Sequence, residues 1–118
     1  MDRRFIVCLV LLLSIVAIYG KVRHYEFTNF DDNIYITNNP FVRSGLNAES
    51  LRWSFNYTLK DGNYWQPLTW LSHMLDVSLY GMDAGRHHMS NVFYHMMSTL
   101  LLFLAFSRMT GAFWRSAV

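Results

Sequence analysis

Residues 5–20 read FIVCLVLLLSIVAIYG and residues 87–107 read HHMSNVFYHMMSTLLLFLAFS, and neither stretch holds a Lys, Arg, Asp or Glu. As a helix rising about 1.5 Å per residue, the first run covers roughly 24 Å, short of a hydrocarbon core of about 30 Å. Lys21 and Arg23 lie just beyond it and can snorkel, which lengthens the usable span. The second run, bounded by Arg86 and Arg108, is long enough to cross unaided. The two runs predict a mainly α membrane protein: a transmembrane helix at 5–20, a loop at 21–86 carrying short amphipathic helices, a second transmembrane helix at 87–107, and the start of a further loop at 108–118.

Composition agrees. The 118 residues allow one ordinary domain at most. Hydrophobic residues reach 53% while charged residues reach only 15%, which excludes a disordered tail, a heptad coiled coil and a solubilising charged segment. A net charge of +2, spread along the chain, excludes a nucleic-acid surface. Cys8, the single cysteine, sits inside the first apolar run and reads as a small hydrophobe.

A cleaved signal peptide competes for the first run, because Asp2, Arg3 and Arg4 make a plausible n-region. Bulky Ile18 and Tyr19 before Gly20 fit a cleavage site poorly, so an uncleaved signal anchor is expected. Arg3, Arg4, Arg108 and Arg115 flank one side of the pair, and Lys21, Arg23 and Arg86 the other. That bias puts both termini in the cytoplasm and the 21–86 loop outside it.

The loop holds three of the four tryptophans, Trp53, Trp65 and Trp70, with Tyr25, Tyr35, Tyr57, Tyr64 and Tyr80. Such rings suit the headgroup layer, and an ordinary aromatic core is the alternative. Asn47 is a good N-cap, with Leu46 and Leu51 placed as a hydrophobic staple, so residues 48–55 should be helical. A second helix should start at Pro67 and stop near Gly81. Along it Thr69, Ser72, His73 and Asp76 share one face, while Leu68, Leu71, Leu75 and Leu79 form an apolar stripe extended by Trp70, Met74 and Val77. A helix of that kind either lies on a membrane surface or packs on a neighbour.

Candidate chemistry is sparse. His87 and His88 with His95 lack a cysteine or carboxylate at ligand spacing, so no metal centre is expected there. His73 and Asp76, at i and i+3, suit a structural pair or contacts to a ligand. His88, Asn91, His95 and Ser98 make a polar stripe on the second span, which at membrane depth needs partners. Asp31 and Asp32 lie on a turn-prone tripeptide, and Asn56-Tyr57-Thr58 is a glycosylation sequon. No phosphate loop, nucleophile elbow or dinucleotide fingerprint occurs.

Several longer strings carry a resemblance: Phe30-Asp31-Asp32-Asn33-Ile34-Tyr35-Ile36-Thr37-Asn38-Asn39-Pro40, Gly45-Leu46-Asn47, and Trp65-Gln66-Pro67-Leu68-Thr69-Trp70-Leu71-Ser72-His73-Met74-Leu75-Asp76. His87-His88-Met89-Ser90-Asn91 through His95, and Met109-Thr110-Gly111-Ala112-Phe113-Trp114-Arg115-Ser116-Ala117, follow in order. From about Tyr25 onward the chain resembles the N-terminal part of bacterial tetratricopeptide-repeat membrane glycosyltransferases of the GT-C superfamily, similar to the transmembrane O-mannosyltransferases. The resemblance implies a multi-pass inner-membrane enzyme that moves a sugar such as mannose from a polyprenyl-phosphate donor to a hydroxyl of a polypeptide or glycan outside the cytoplasm. It implies an acidic residue of this loop as the catalytic group, read here as Asp31 the base with Asp32 its supporting partner or the reverse, and His73, Asp76, His88, Asn91 and His95 are the candidate contacts to donor or acceptor from their helix faces. It assigns no certain cofactor and leaves open a divalent cation beside the donor phosphate. Partners implied are the bilayer, the lipid-linked donor, the acceptor and the remaining helices of a longer enzyme, with no nucleic acid. Two spans without repeats are expected to be an N-terminal fragment, inactive alone. The alternatives are a non-catalytic membrane protein or relic that assembles with partner helices, and a small secreted domain.

Overall fold

A computed structural model describes residues 3–56 and 64–117, so Asp2, Tyr57 and Thr58 lie outside the described residues. In chain order the elements are α1 (Arg3–Tyr19), a 3-10 turn (Gly20–His24), a π-turn (Asn33–Thr37), α2 (Pro40–Arg43), α3 (Ala48–Asn56), α4 (Pro67–Tyr80) and α5 (Ala84–Thr110). The protein is mainly helical, with no strand among the described residues. It divides into two compact units, one made of the chain up to Arg23 and from His88 on, the other of residues 24–87.

In the first unit both apolar runs are helices longer than the runs themselves. The continuous helical stretch Arg3–His24 has 22 residues and Ala84–Thr110 has 27, so both are long and apolar enough to cross a membrane. The helical 3-10 turn adds a rise of roughly 2 Å per residue, which brings the first stretch to roughly 35 Å and removes the shortfall of the uncharged run alone. Within these helices polar side chains turn back on the backbone: Ser14 Oγ donates to the Val10 carbonyl at 2.8 Å, and Thr99 Oγ1 to that of His95 at 2.9 Å. Ser107 and Thr110 do the same to Leu104 and Phe106. A hydroxyl so satisfied tolerates apolar surroundings. Val7, Ile15, Val92 and Phe103 are buried, the Tyr19 ring meets His95 edge-on at 5.6 Å, and Phe103 meets Phe113 edge-on at 5.6 Å. Most of the remaining surface is exposed and apolar, including Phe5, Leu9, Leu13 and Val16 on α1 and Phe93, Leu101, Leu102 and Phe106 on α5.

The second unit is built on α4, which packs against α2 and α3. Caps place the small helices. Asn39 Oδ1 accepts from Phe41 N and Val42 N, with Pro40 opening α2. Asn47 Oδ1 accepts from Glu49 N and Ser50 N, and Ser50 Oγ accepts from Asn47 N at 2.9 Å. That reciprocal pair closes the cap, and Leu46 and Leu51, the expected staple, are 45% and 44% exposed. The backbone of the α2–α3 connection lies against α4: Leu46 N donates to Ser78 Oγ at 2.8 Å, and a Cβ on Gly45 (φ +72°) would come within 2.6 Å of that oxygen.

The core is Ile36, Val42, Trp70 and Met74, with Phe27, Tyr35, Phe41, Trp53, Leu71 and Val77 packed on it. Tyr35 stacks on Trp70 at 4.9 Å, Phe41 on Trp53 at 4.8 Å, and the two tryptophans meet edge to face at 5.2 Å. Trp53 and Trp70 are therefore core side chains and not headgroup anchors, while Tyr25, Tyr64 and Trp65 are exposed. The rotation of α4 departs from the leucine stripe. Trp70 and Met74 have no exposed surface, yet Leu68 is 77% and Leu79 59% exposed, and Asp76 from the polar face is buried. The bulk of one indole outweighs the count of leucines, because a large ring removes more apolar area from water at one position.

Met74→Ala should cost about 2–5 kcal/mol as a buried truncation, and Leu79→Ala within about 0.5 kcal/mol. Denaturant unfolding of both variants in mild detergent checks the rotation, and the reverse order would restore the leucine stripe as the inward face.

Candidate functional site

The rotation that buries Trp70 carries His73 and Asp76 inward with it. One turn of helix separates them, so their side chains rise from the same face. Asp76 is 4% exposed and His73 is half-buried. The helix then stops at Gly81, whose φ of +65° and ψ of −141° belong to a region only glycine enters readily, and whose N–H caps Val77. After Met82, Asp83 opens α5: its Oδ1 accepts from Arg86 N at 3.1 Å, and its Oδ2 lies 3.5 Å from Arg86 Nε. His87 thus stands on the first turn of α5 and faces back onto α4.

The geometry around His87 is specific. Its Nε2 lies 2.9 Å from the Gly81 carbonyl oxygen, an acceptor only, so Nε2 carries the proton and donates. Its Nδ1, buried and without a hydrogen-bond partner, lies 3.9 Å from Asp76 Oδ2. Phe27 holds the imidazole edge-on at 5.3 Å between ring centres. One donor atom from each of His73, Asp76 and His87 lies within 4.8 Å of the other two, so the three could hold a metal ion. Burial lowers the pKa of His73 below its ordinary 6.5; the Asp76 carboxylate opposes this, His87 adds to it, and the Asp32 carboxylate opposes it again. Asp32 therefore reaches this cluster electrostatically. Its Oδ2 also accepts from Thr28 N at 2.9 Å and Thr28 Oγ1 at 3.3 Å, tying the turn before the π-turn. Asp31 is exposed, and its carbonyl accepts from Ile34 N and Tyr35 N.

The residues named from the sequence fall into two places. Asp32, His73 and Asp76 converge in the second unit. His88, Asn91 and His95 belong to the first unit, where with Tyr19, Val22 and Val92 they line an open cavity of about 260 Å³. His87 was grouped from spacing with His88 and His95, but one helical step divides them: His87 turns to His73 and Asp76. Its role was legible only in the short Gly81-Met82-Asp83 connection, which sets the first turn of α5 beside α4. Chemically, the cluster offers a neutral imidazole that can accept a proton, a buried carboxylate, and nitrogen and oxygen donors for a cation.

Because the folded protein holds the His73 pKa below that of the unfolded chain, the unfolded state binds more protons as pH falls through about 6.5. Stability is then lost on acidification, with no effect above the unfolded value. In chelator-treated protein, the unfolding midpoint of the second unit should fall between about pH 7 and about pH 5.5, and His73→Asn should flatten that slope. An unchanged slope in the variant would place the titrating group elsewhere. Comparisons of this chain with models of protein families, with curated proteins and with solved structures found no match.

Proposed function

We propose that the chain is the N-terminal part of a polyprenyl-phosphate-sugar-dependent glycosyltransferase of the tetratricopeptide-repeat GT-C kind, held in the inner membrane by α1 and α5 with residues 21–86 outside the cytoplasm. One observation carries the reading. Two motif runs behind the resemblance, residues 30–40 and 65–76, meet in one unit: Tyr35 stacks on Trp70, and the Asp32 carboxylate acts on His73. A first-loop acid thus acts electrostatically on the histidine of the second run. The exposed apolar faces of α1 and α5 also support it, since patches of that extent on a protein usually mark a lipid or partner surface.

In this reading a carboxylate takes the proton of the acceptor hydroxyl as its oxygen attacks the anomeric carbon. The bond from that carbon to the donor phosphate oxygen breaks, and polyprenyl phosphate leaves with the electron pair. Asp31, exposed at the turn, serves as base. Asp32, tied to Thr28, holds the turn in place. A sugar such as mannose and a polypeptide or glycan hydroxyl are the substrates. The same exposed faces favour a second reading, a non-catalytic membrane protein that assembles with partner helices.

Two experiments separate these. In a Cys8→Ser background, Asn56→Cys should react with an impermeant thiol reagent in intact cells, and labelling only after lysis would reverse the orientation. In the full-length enzyme, assayed in membranes with polyprenyl-phosphate mannose, Asp31→Asn should slow transfer by about 10²–10⁴-fold, with a smaller loss for Asp32→Asn. Near-normal transfer by both inserted variants would reduce the pair to a structural turn.

A further inference from the structure

We propose that His73, Asp76 and His87 form a binding site for a divalent transition metal, with Zn²⁺ the best-fitting ion. The site stands on local geometry and does not rest on the transferase reading.

Donor chemistry comes first. Two imidazoles and one carboxylate match the three-ligand sets that hold zinc while leaving a fourth position open. The donor atoms lie within 4.8 Å of one another, with His87 Nδ1 and Asp76 Oδ2 at 3.9 Å. Ligands about 2.0–2.2 Å from a tetrahedral ion stand about 3.4 Å apart, so closure needs side-chain rotations of about an ångström and no backbone shift.

Three independent features point the same way. His87 Nε2 donates to the Gly81 carbonyl, the outer-shell bond that fixes a ligand imidazole in the tautomer presenting Nδ1 to the ion. That Nδ1 is buried without a hydrogen-bond partner and is directed at a buried carboxylate, an arrangement that favours a cation between them. His73 is the half-buried member, so the ion has an entry path and its open position lies on that side. The ion would lock the last turns of α4 to the first turn of α5 across a three-residue connection.

The test uses the 118-residue chain purified in mild detergent and stripped with chelator. Zn²⁺ titration against a chromophoric competitor should give one ion per chain, and Co²⁺ should give the visible bands of a tetrahedral site. In a Cys8→Ser background, where position 73 holds the one thiol, His73→Cys should add a sulfur-to-Co²⁺ charge-transfer band, which then reports coordination at that position. Asp76→Asn should weaken Zn²⁺ binding by more than the roughly 10–100-fold typical of outer-shell changes, while His24→Gln leaves it unchanged. Folding of each variant is followed by the near-ultraviolet dichroism of the edge-to-face Trp53 and Trp70 rings. Should Asp76→Asn lose that signal, the His73→Cys band decides. Failure to bind one ion, undiminished binding in folded Asp76→Asn, or no charge-transfer band in folded His73→Cys would each overturn the site and leave His87 and Asp76 as a packing contact. None of these results alters the transfer assay on Asp31 and Asp32.

Discussion

Trp70 has no exposed surface, and the face it presents sets the rotation of α4. Its ring takes Tyr35 flat on one side and Trp53 on edge, so the π-turn and α3 are both registered against a single side chain. Aromatic pairs at these separations add attraction beyond the area they bury, and they prefer definite angles. The consequence is directional. Once Trp70 points inward, Met74 follows one turn later, Asp76 and His73 are carried toward the interior, and Leu68 and Leu79 are carried out.

The next segment folds back on the buried Asp76. A carboxylate 4% exposed is costly unless charge or hydrogen bonds answer it. That segment has a helix stop at a positive-φ glycine, an Asp83 cap, and an imidazole returned from the first turn of α5 toward Asp76. The Gly81 carbonyl fixes that imidazole, so one backbone conformation both ends α4 and aims His87. Stability and chemistry are linked at this corner, because the buried acid and the two imidazoles near it are packed parts of the fold and also groups able to bind a cation or move a proton.

The first unit obeys a different constraint. Its helices satisfy their own backbone and turn their hydroxyls back upon it, an arrangement that tolerates apolar surroundings. Few side chains are buried between them, and their apolar faces remain open. Tyr19, at the end of α1, meets His95 of α5 edge-on, while Phe103 of α5 meets Phe113 from the segment that follows it.

Much of the architecture was local and therefore readable from the sequence. The uncharged runs locate α1 and α5, Asn47 locates the start of α3, and Pro67 with Gly81 brackets α4, because caps, breakers and apolar length act within a few residues. Rotation was not readable. Periodicity marks two faces on residues 67–80, and only the competition between one indole and several leucines for the interior decided which turned in. The pairing of His87 was hidden for the same reason: spacing along one helix placed it with His88 and His95, while a three-residue turn placed it against His73 and Asp76. The turn's sharpness was visible in Gly81, but which side chain it aimed, and at what, depended on where α4 had already been pinned by Trp70. Contacts between residues distant in sequence carry no local signature, so the members of the cluster could be named one by one from the chain, but their meeting was a property of the packed structure alone.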